Sequence, residues 1–124
     1  MITLSGCTVL IIEPDKSILE LLTLILEEHD ANVMGFLEGS TDALERIKKI
    51  KIDLAIIAFR GNGQDAISIL SALRRIDSFP ALAFSCDFDI DKKAKASGFD
   101  GYIPKPFDID ELYLKLISSI KARL

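Results

Sequence analysis

Apolar residues in this chain arrive in two rhythms. Short, nearly unbroken runs occur at "CTVLII" (7–12), "NVMGFL" (32–37), "DLAIIA" (53–58), "PALAFS" (80–85) and "DGYI" (100–103). Between them lie longer stretches whose apolar positions recur every three or four residues: 16–29, 40–50, 65–76, the short polar 89–97, and 108–124. The first rhythm predicts buried strands and the second amphipathic helices. In the first helix Ile18, Leu22 and Ile25 share one face, with Leu19 and Leu24 to either side. In the last helix Ile109, Leu112, Leu116 and Ile120 form the expected core stripe, and Leu114 points away. Ser40 or Thr41, and Asp108 or Asp110, are placed to cap their helices. Gly98 is placed to close the short fourth helix.

The order is strand then helix, five times over. That alternation predicts a parallel sheet with helices on both faces, and unbroken apolar strands agree with burial on both sides. The 124 residues suit one domain spanning 1–124. A net charge of −4 argues against direct nucleic-acid binding, which favours a basic face. No apolar run approaches the ~20 residues needed to span a bilayer. The start "MITLSGC" lacks the basic and long apolar regions of a signal peptide. A cytoplasmic protein with no membrane partner is therefore expected. Cys7 and Cys86 fall at opposite ends of a parallel sheet. A six-residue strand spans roughly 20 Å and a disulfide needs Cα atoms within about 7 Å, so two free thiols are expected.

Ligands of open parallel sheets sit beyond the carboxyl ends of the strands. The residues there are Glu13, Pro14 and Asp15, then Ala58 to Gly63, then Ser85, Cys86 and Asp87, then Pro104, Lys105 and Pro106. Ala58 puts a methyl group where a reactive side chain could stand. Asp15 and Asp65 sit at helix starts, where capping is the ordinary role. Ser85 is expected to cap the short helix or face solvent, with contact to an anion as the alternative, and Cys86 to be unreactive unless Lys105 lowers its pKa. "RGNGQD" (60–65) reads as a mobile loop with no bulky residue to pin it, and its spacing fits no P-loop.

Three segments carry a resemblance. "VLIIEPDKSILELL", "DLAIIAFRGNGQDAISIL" and "GFDGYIPKPFDIDEL" resemble the first, third and fifth strand–helix units of the receiver domain of bacterial response regulators. The likeness covers roughly residues 7 to 122. It implies a flavodoxin-like α/β fold, a three-layer (βα)5 sandwich with a five-stranded parallel sheet of order 2-1-3-4-5. It implies phosphoryl transfer onto an Asp at the end of the third strand, with a bound Mg²⁺. By position, that Asp falls on Ala58 and the metal-binding member of the acidic pair falls on Pro14, beside Glu13. The family's hydroxyl falls on Ser85 and its lysine on Lys105, with a cis bond expected before Pro106. Tyr102 matches an aromatic switch position, and the family often associates through the face made by the fourth helix, fifth strand and fifth helix.

An alanine methyl cannot attack phosphorus, and Mg²⁺ wants near-octahedral oxygen ligands, usually including one or two carboxylates. Glu13 and Lys105 sum to zero charge, so a direct or water-bridged contact between them is expected in place of a metal cluster. The resulting expectation is a non-enzymatic, degenerate receiver with no cofactor and no metal. It would act through a protein partner or self-association, with Tyr102 and Leu114 on the contact face. The alternatives are an active receiver using a substitute acid, or a flavodoxin-like domain for a small ligand. Flavin is disfavoured by the loop "EPDKS", which is not a Ser/Thr/Gly-rich cradle, and by the absence of Trp.

Overall fold

The computed structural model describes residues 3–123. Five strands, β1 (Thr8–Ile12), β2 (Asn32–Phe36), β3 (Leu54–Ala58), β4 (Ala81–Ser85) and β5 (Gly101–Pro104), alternate with five helices. The helices are α1 (Lys16–Glu28), α2 (Thr41–Ile47), α3 (Gln64–Arg74), α4 (Ile90–Ala96) and α5 (Ile109–Arg123). All strand pairs are parallel, and the order is β2-β1-β3-β4-β5. This is the flavodoxin-like arrangement. Elements begin or end within a few residues of the expected bounds; α2 stops at Ile47 rather than residue 50, and Leu124 lies outside the described residues.

The unbroken apolar strands follow from two cores. Side chains alternate along a strand, so Leu10, Ile12, Ala55 and Ile57 face one core with Ala66, Leu70 and Leu73 of α3. Val9, Ile11, Leu54, Ile56, Leu82 and Phe84 face the other, with Leu22, Ile25 and Leu26 of α1 and Leu112, Leu116 and Ile120 of α5. Each Val, Leu, Ile or Phe side chain among them contributes about 1.5–3 kcal/mol when fully buried. A single polar substitution in β1 or β3 would therefore disrupt one core or the other.

Ile109 departs from the expected stripe: it is 52% exposed. It is the first residue of α5, and the buried stripe begins only at Leu112. Asp108 caps that helix through the Glu111 N–H, Ser40 caps α2 through the Ala43 N–H, and Asp15 caps α1 through the N–H groups of Ser17 and Ile18. Gly98, at φ +90°, follows α4 as expected. Cys7 and Cys86 are free.

Ladder hydrogen bonds run one residue past the strands. Glu13 N–H donates to the Phe36 carbonyl, Phe59 N–H to Phe84, and Lys105 N–H to Ser85. These bonds hold the residues after β1, β3 and β5 at one edge of the sheet.

Candidate functional site

Glu13 is 1% exposed. One carboxylate oxygen, Oε1, accepts from Lys105 Nζ at 2.6 Å, and Oε2 accepts from the Asp15 N–H at 3.0 Å. The Lys105 ammonium also lies 4.5 Å from the centroid of the Phe84 ring. Charges withdrawn from water are costly unless paired and hydrogen-bonded; here the carboxylate, a backbone amide and an aromatic face satisfy both partners. The contact expected from charge counting is a direct ion pair. The Lys105–Pro106 bond is cis.

Ser85 is 2% exposed, and its Oγ accepts from the Asp87 N–H at 3.1 Å. It thus neither caps α4 nor faces solvent, as its position in the sequence suggests, but braces the turn after β4. Lys93 closes the same turn onto Asp87 at 3.1 Å. Its hydrogen bond with that carboxylate holds the ammonium pKa above the ordinary lysine value. Cys86 is exposed. Lys105, the cation named as able to lower its pKa, is engaged by Glu13.

The loop after β3 is built differently from the mobile loop expected. Phe59 is 2% exposed and meets Phe99 edge-on, with ring centroids 5.9 Å apart. Gly63 has φ +78°, and a Cβ there would overlap the Phe59 ring. The glycine is required both by its left-handed backbone and by the ring beneath it. Gly63 is also the N-cap of α3, with no side-chain bond of its own; the Asn62 Oδ1 accepts from the Gln64 N–H. Asp65 therefore lies in the first turn and does not cap, contrary to expectation. Phe59 escapes a reading of strands because it follows the apparent end of an apolar run.

Ala58 and Pro14 adjoin Glu13, Pro14 along the chain and Ala58 across the β1–β3 register, and add no side-chain oxygen to the Glu13–Lys105 pair. They line a cavity of about 390 Å³ on the β2 side, with Ile12, Arg60 and Asp65. Among the described residues no group of three or more His, Cys, Asp or Glu side chains is placed to hold a metal ion.

Tyr102, 36% exposed, borders a groove of about 210 Å³ with Phe107, Asp108, Glu111 and Lys115. The Lys115 ammonium lies 5.5 Å from the Tyr102 ring centroid. Leu114 is 65% exposed. At about 100° per residue it lies opposite the buried Leu112–Leu116–Ile120 stripe, outside that groove. Phe88 is 99% exposed, in the loop before α4, and shares a hollow of about 400 Å³ with Tyr102, Cys86 and Lys105. An apolar residue inside the acidic run "CDFDID" (86–91) was the signal for it.

Residues 9–117 match the response regulator receiver domain family. The chain belongs to that family. Regulatory protein VanRc of Enterococcus gallinarum is 30% identical to it, over 94% of this chain and 49% of that protein. DNA-binding response regulator MtrA of Mycobacterium tuberculosis is 29% identical, over 94% of this chain and 50% of that protein. The receiver thus spans about half the length of these curated relatives. The solved receiver domain of Francisella response regulator 1452 superposes with a TM-score of 0.79 at 28% identity, covering 96% of this receiver and all of that one. Among the described residues no helix of the receiver is long and apolar enough to cross a membrane.

Proposed function

We propose that this receiver signals by contact with a protein partner, without aspartyl phosphorylation and without a bound metal. The observation that carries the proposal is the pairing of Lys105 with Glu13 at 2.6 Å beside an alanine at the end of β3. By resemblance, Ala58 occupies the phosphoacceptor position and Pro14 a metal-ligand position. Neither side chain offers an oxygen. Glu13 is left as the single carboxylate of that set, and both its oxygens are already engaged. The residues present do not fit Mg²⁺.

Asp15, as a substitute acceptor, is committed to two backbone N–H groups of α1. Asp65 lies in the first turn of α3 and lines the cavity beside Ala58, while Lys105 is engaged by Glu13. Neither is coupled to the lysine that would steady a phosphoryl group. For the contact surface we propose the α4–β5–α5 face with Tyr102, Leu114 and the adjoining Phe88. Exposed aromatic and leucine side chains are what a partner can bury.

The test is exposure of the natural chain to a small phosphodonor such as acetyl phosphate, with Mg²⁺ present, followed by intact mass measurement. No gain of a phosphoryl group is expected. A gain that maps to Asp15 or Asp65 would overturn the proposal in favour of a substitute acid.

A further inference from the structure

In a sheet of order 2-1-3-4-5 the chain leaves β1 towards β2 and returns past it to β3. The loops after β1 and β3 therefore part, and a crevice opens between them. Here that crevice is the cavity of about 390 Å³, within the roughly 300–1,000 Å³ typical of small-molecule sites. Its floor is apolar: Ile12, Pro14, Ala58 and Ile69. Its wall is closed where the loop before α2 seats on α3, since a Cβ at Gly39 would lie 2.6 Å from Ile69.

Three charged side chains ring the floor: Arg60, Glu38 and Asp65. Among the described residues none of the three forms a side-chain ion pair or hydrogen bond. The Glu13–Lys105 pair close by shows the opposite behaviour. The cavity thus presents one guanidinium and two carboxylates over a hydrocarbon surface, without internal neutralisation.

That chemistry discriminates. A phosphate or other bare anion meets a rim of net −1. A bare metal cation finds a floor whose side chains offer no oxygen, and an arginine at the mouth. A molecule carrying one negative and one positive group on a short apolar body matches all three features.

We propose that this cavity binds a free α-amino acid with an aliphatic side chain. The carboxylate pairs with the Arg60 guanidinium, whose planar fork suits it. The ammonium lies towards Glu38 and Asp65, and the side chain covers Ala58 and Pro14. The inference rests on the metal-free function proposed above, because carboxylates at positions 58 and 14 would replace the apolar floor with charge. It adds an input: a ligand held there would tie the loop before α2 to the loop before α3, beside the place where Gly39 seats on Ile69 of α3.

The experiment is titration of the natural chain with L-leucine in buffer containing EDTA, followed by backbone-amide NMR. Saturable shifts are expected at Leu37–Ser40 and Ala58–Asp65 in the millimolar range or below. L-Leucinamide, without the carboxylate, and isocaproate, without the amine, should each bind at least about tenfold more weakly. Arg60→Gln, at an exposed position, should cause a similar loss with an unchanged melting temperature. Absence of a saturable response to leucine, isoleucine, valine and methionine would overturn the site. So would equal binding of leucinamide, or full binding by Arg60→Gln. Because EDTA is present, these failures leave the metal-free function standing; that function falls only to a Mg²⁺ or phosphodonor response in the natural chain.

Discussion

The two sides of the carboxyl edge of this sheet treat charge in opposite ways. On one side, Glu13, which follows β1, and Lys105, which follows β5, meet at 2.6 Å, with the carboxylate side chain 2% and the lysine 21% exposed. On the other, the solvent-exposed Arg60, Glu38 and Asp65 surround an apolar floor and form no side-chain ion pair or hydrogen bond among the described residues. Five residues along the same edge separate a closed, neutral, internally satisfied site from an open one. The contrast follows from the side chains between them. Pro14 and Ala58 carry no side-chain oxygen, so the lysine meets Glu13 alone, and the volume that Pro14 and Ala58 line has an apolar floor.

The largest effect that sharpens this contrast is expected from the paired side. Glu13→Ala leaves a largely buried ammonium without its carboxylate, and removing one member of a buried pair costs about 3–5 kcal/mol. Replacing both, Glu13→Leu with Lys105→Met, should recover most of that loss, because apolar residues of similar size can substitute for a buried pair. Urea unfolding of the three chains measures both. A loss below about 1 kcal/mol for Glu13→Ala would mean the pair behaves as a surface salt bridge, and the contrast would break.

Gly63→Ala comes next. It forces a left-handed residue with a Cβ against the Phe59 ring, so about 2 kcal/mol or more should be lost. An unchanged melting curve would show that the loop after β3 is not pinned by Phe59. On the open side, Asp65→Asn should stay within about 0.5 kcal/mol of the natural chain, since the residue is exposed and its carboxylate has no partner among the described residues. Leu114→Glu should do the same in the isolated domain while weakening association with a partner. A large fall in stability would assign Leu114 to the core.

Much of this was legible in the sequence, and for identifiable reasons. Strands buried on both faces read as continuous apolar runs, so β1, β3 and β4 stand out. The Glu13–Lys105 pair follows from charge counting once the "IPKPF" segment (103–107) puts a lysine at the edge. Ile109 fits the helical period of the core stripe, yet a period carries no information about where the buried stripe begins. Asp65 resembles a cap because acids favour helix starts, but Gly63 and Asn62 already fill that role. Phe59 and Gly63 could not be paired from sequence, because their contact depends on a left-handed turn between them. The unpaired charges around Ala58 required three separate loops to be placed together.

The smallest effect concerns the thiols, which report the two ends of the sheet. Burial, and then the Asp53 carboxylate, push the Cys7 thiol pKa up. At mildly alkaline pH Cys7 should hold less thiolate, and it is only partly accessible. Cys86, exposed at the carboxyl edge, should be alkylated by iodoacetamide faster than Cys7. The reverse order would mean that the amino end of the sheet opens more readily than this packing allows.

The most direct test of the central claim is a Mg²⁺ titration of the natural chain by backbone-amide NMR, followed by beryllofluoride. The expected result is no saturable shift at Glu13, Ala58 or Lys105, and no change on adding beryllofluoride. The double variant Pro14→Asp, Ala58→Asp should gain a Mg²⁺ response, because it returns two carboxylates to an edge that already holds Glu13. Saturable Mg²⁺ shifts around Glu13 in the natural chain, deepened by beryllofluoride, would contradict the account.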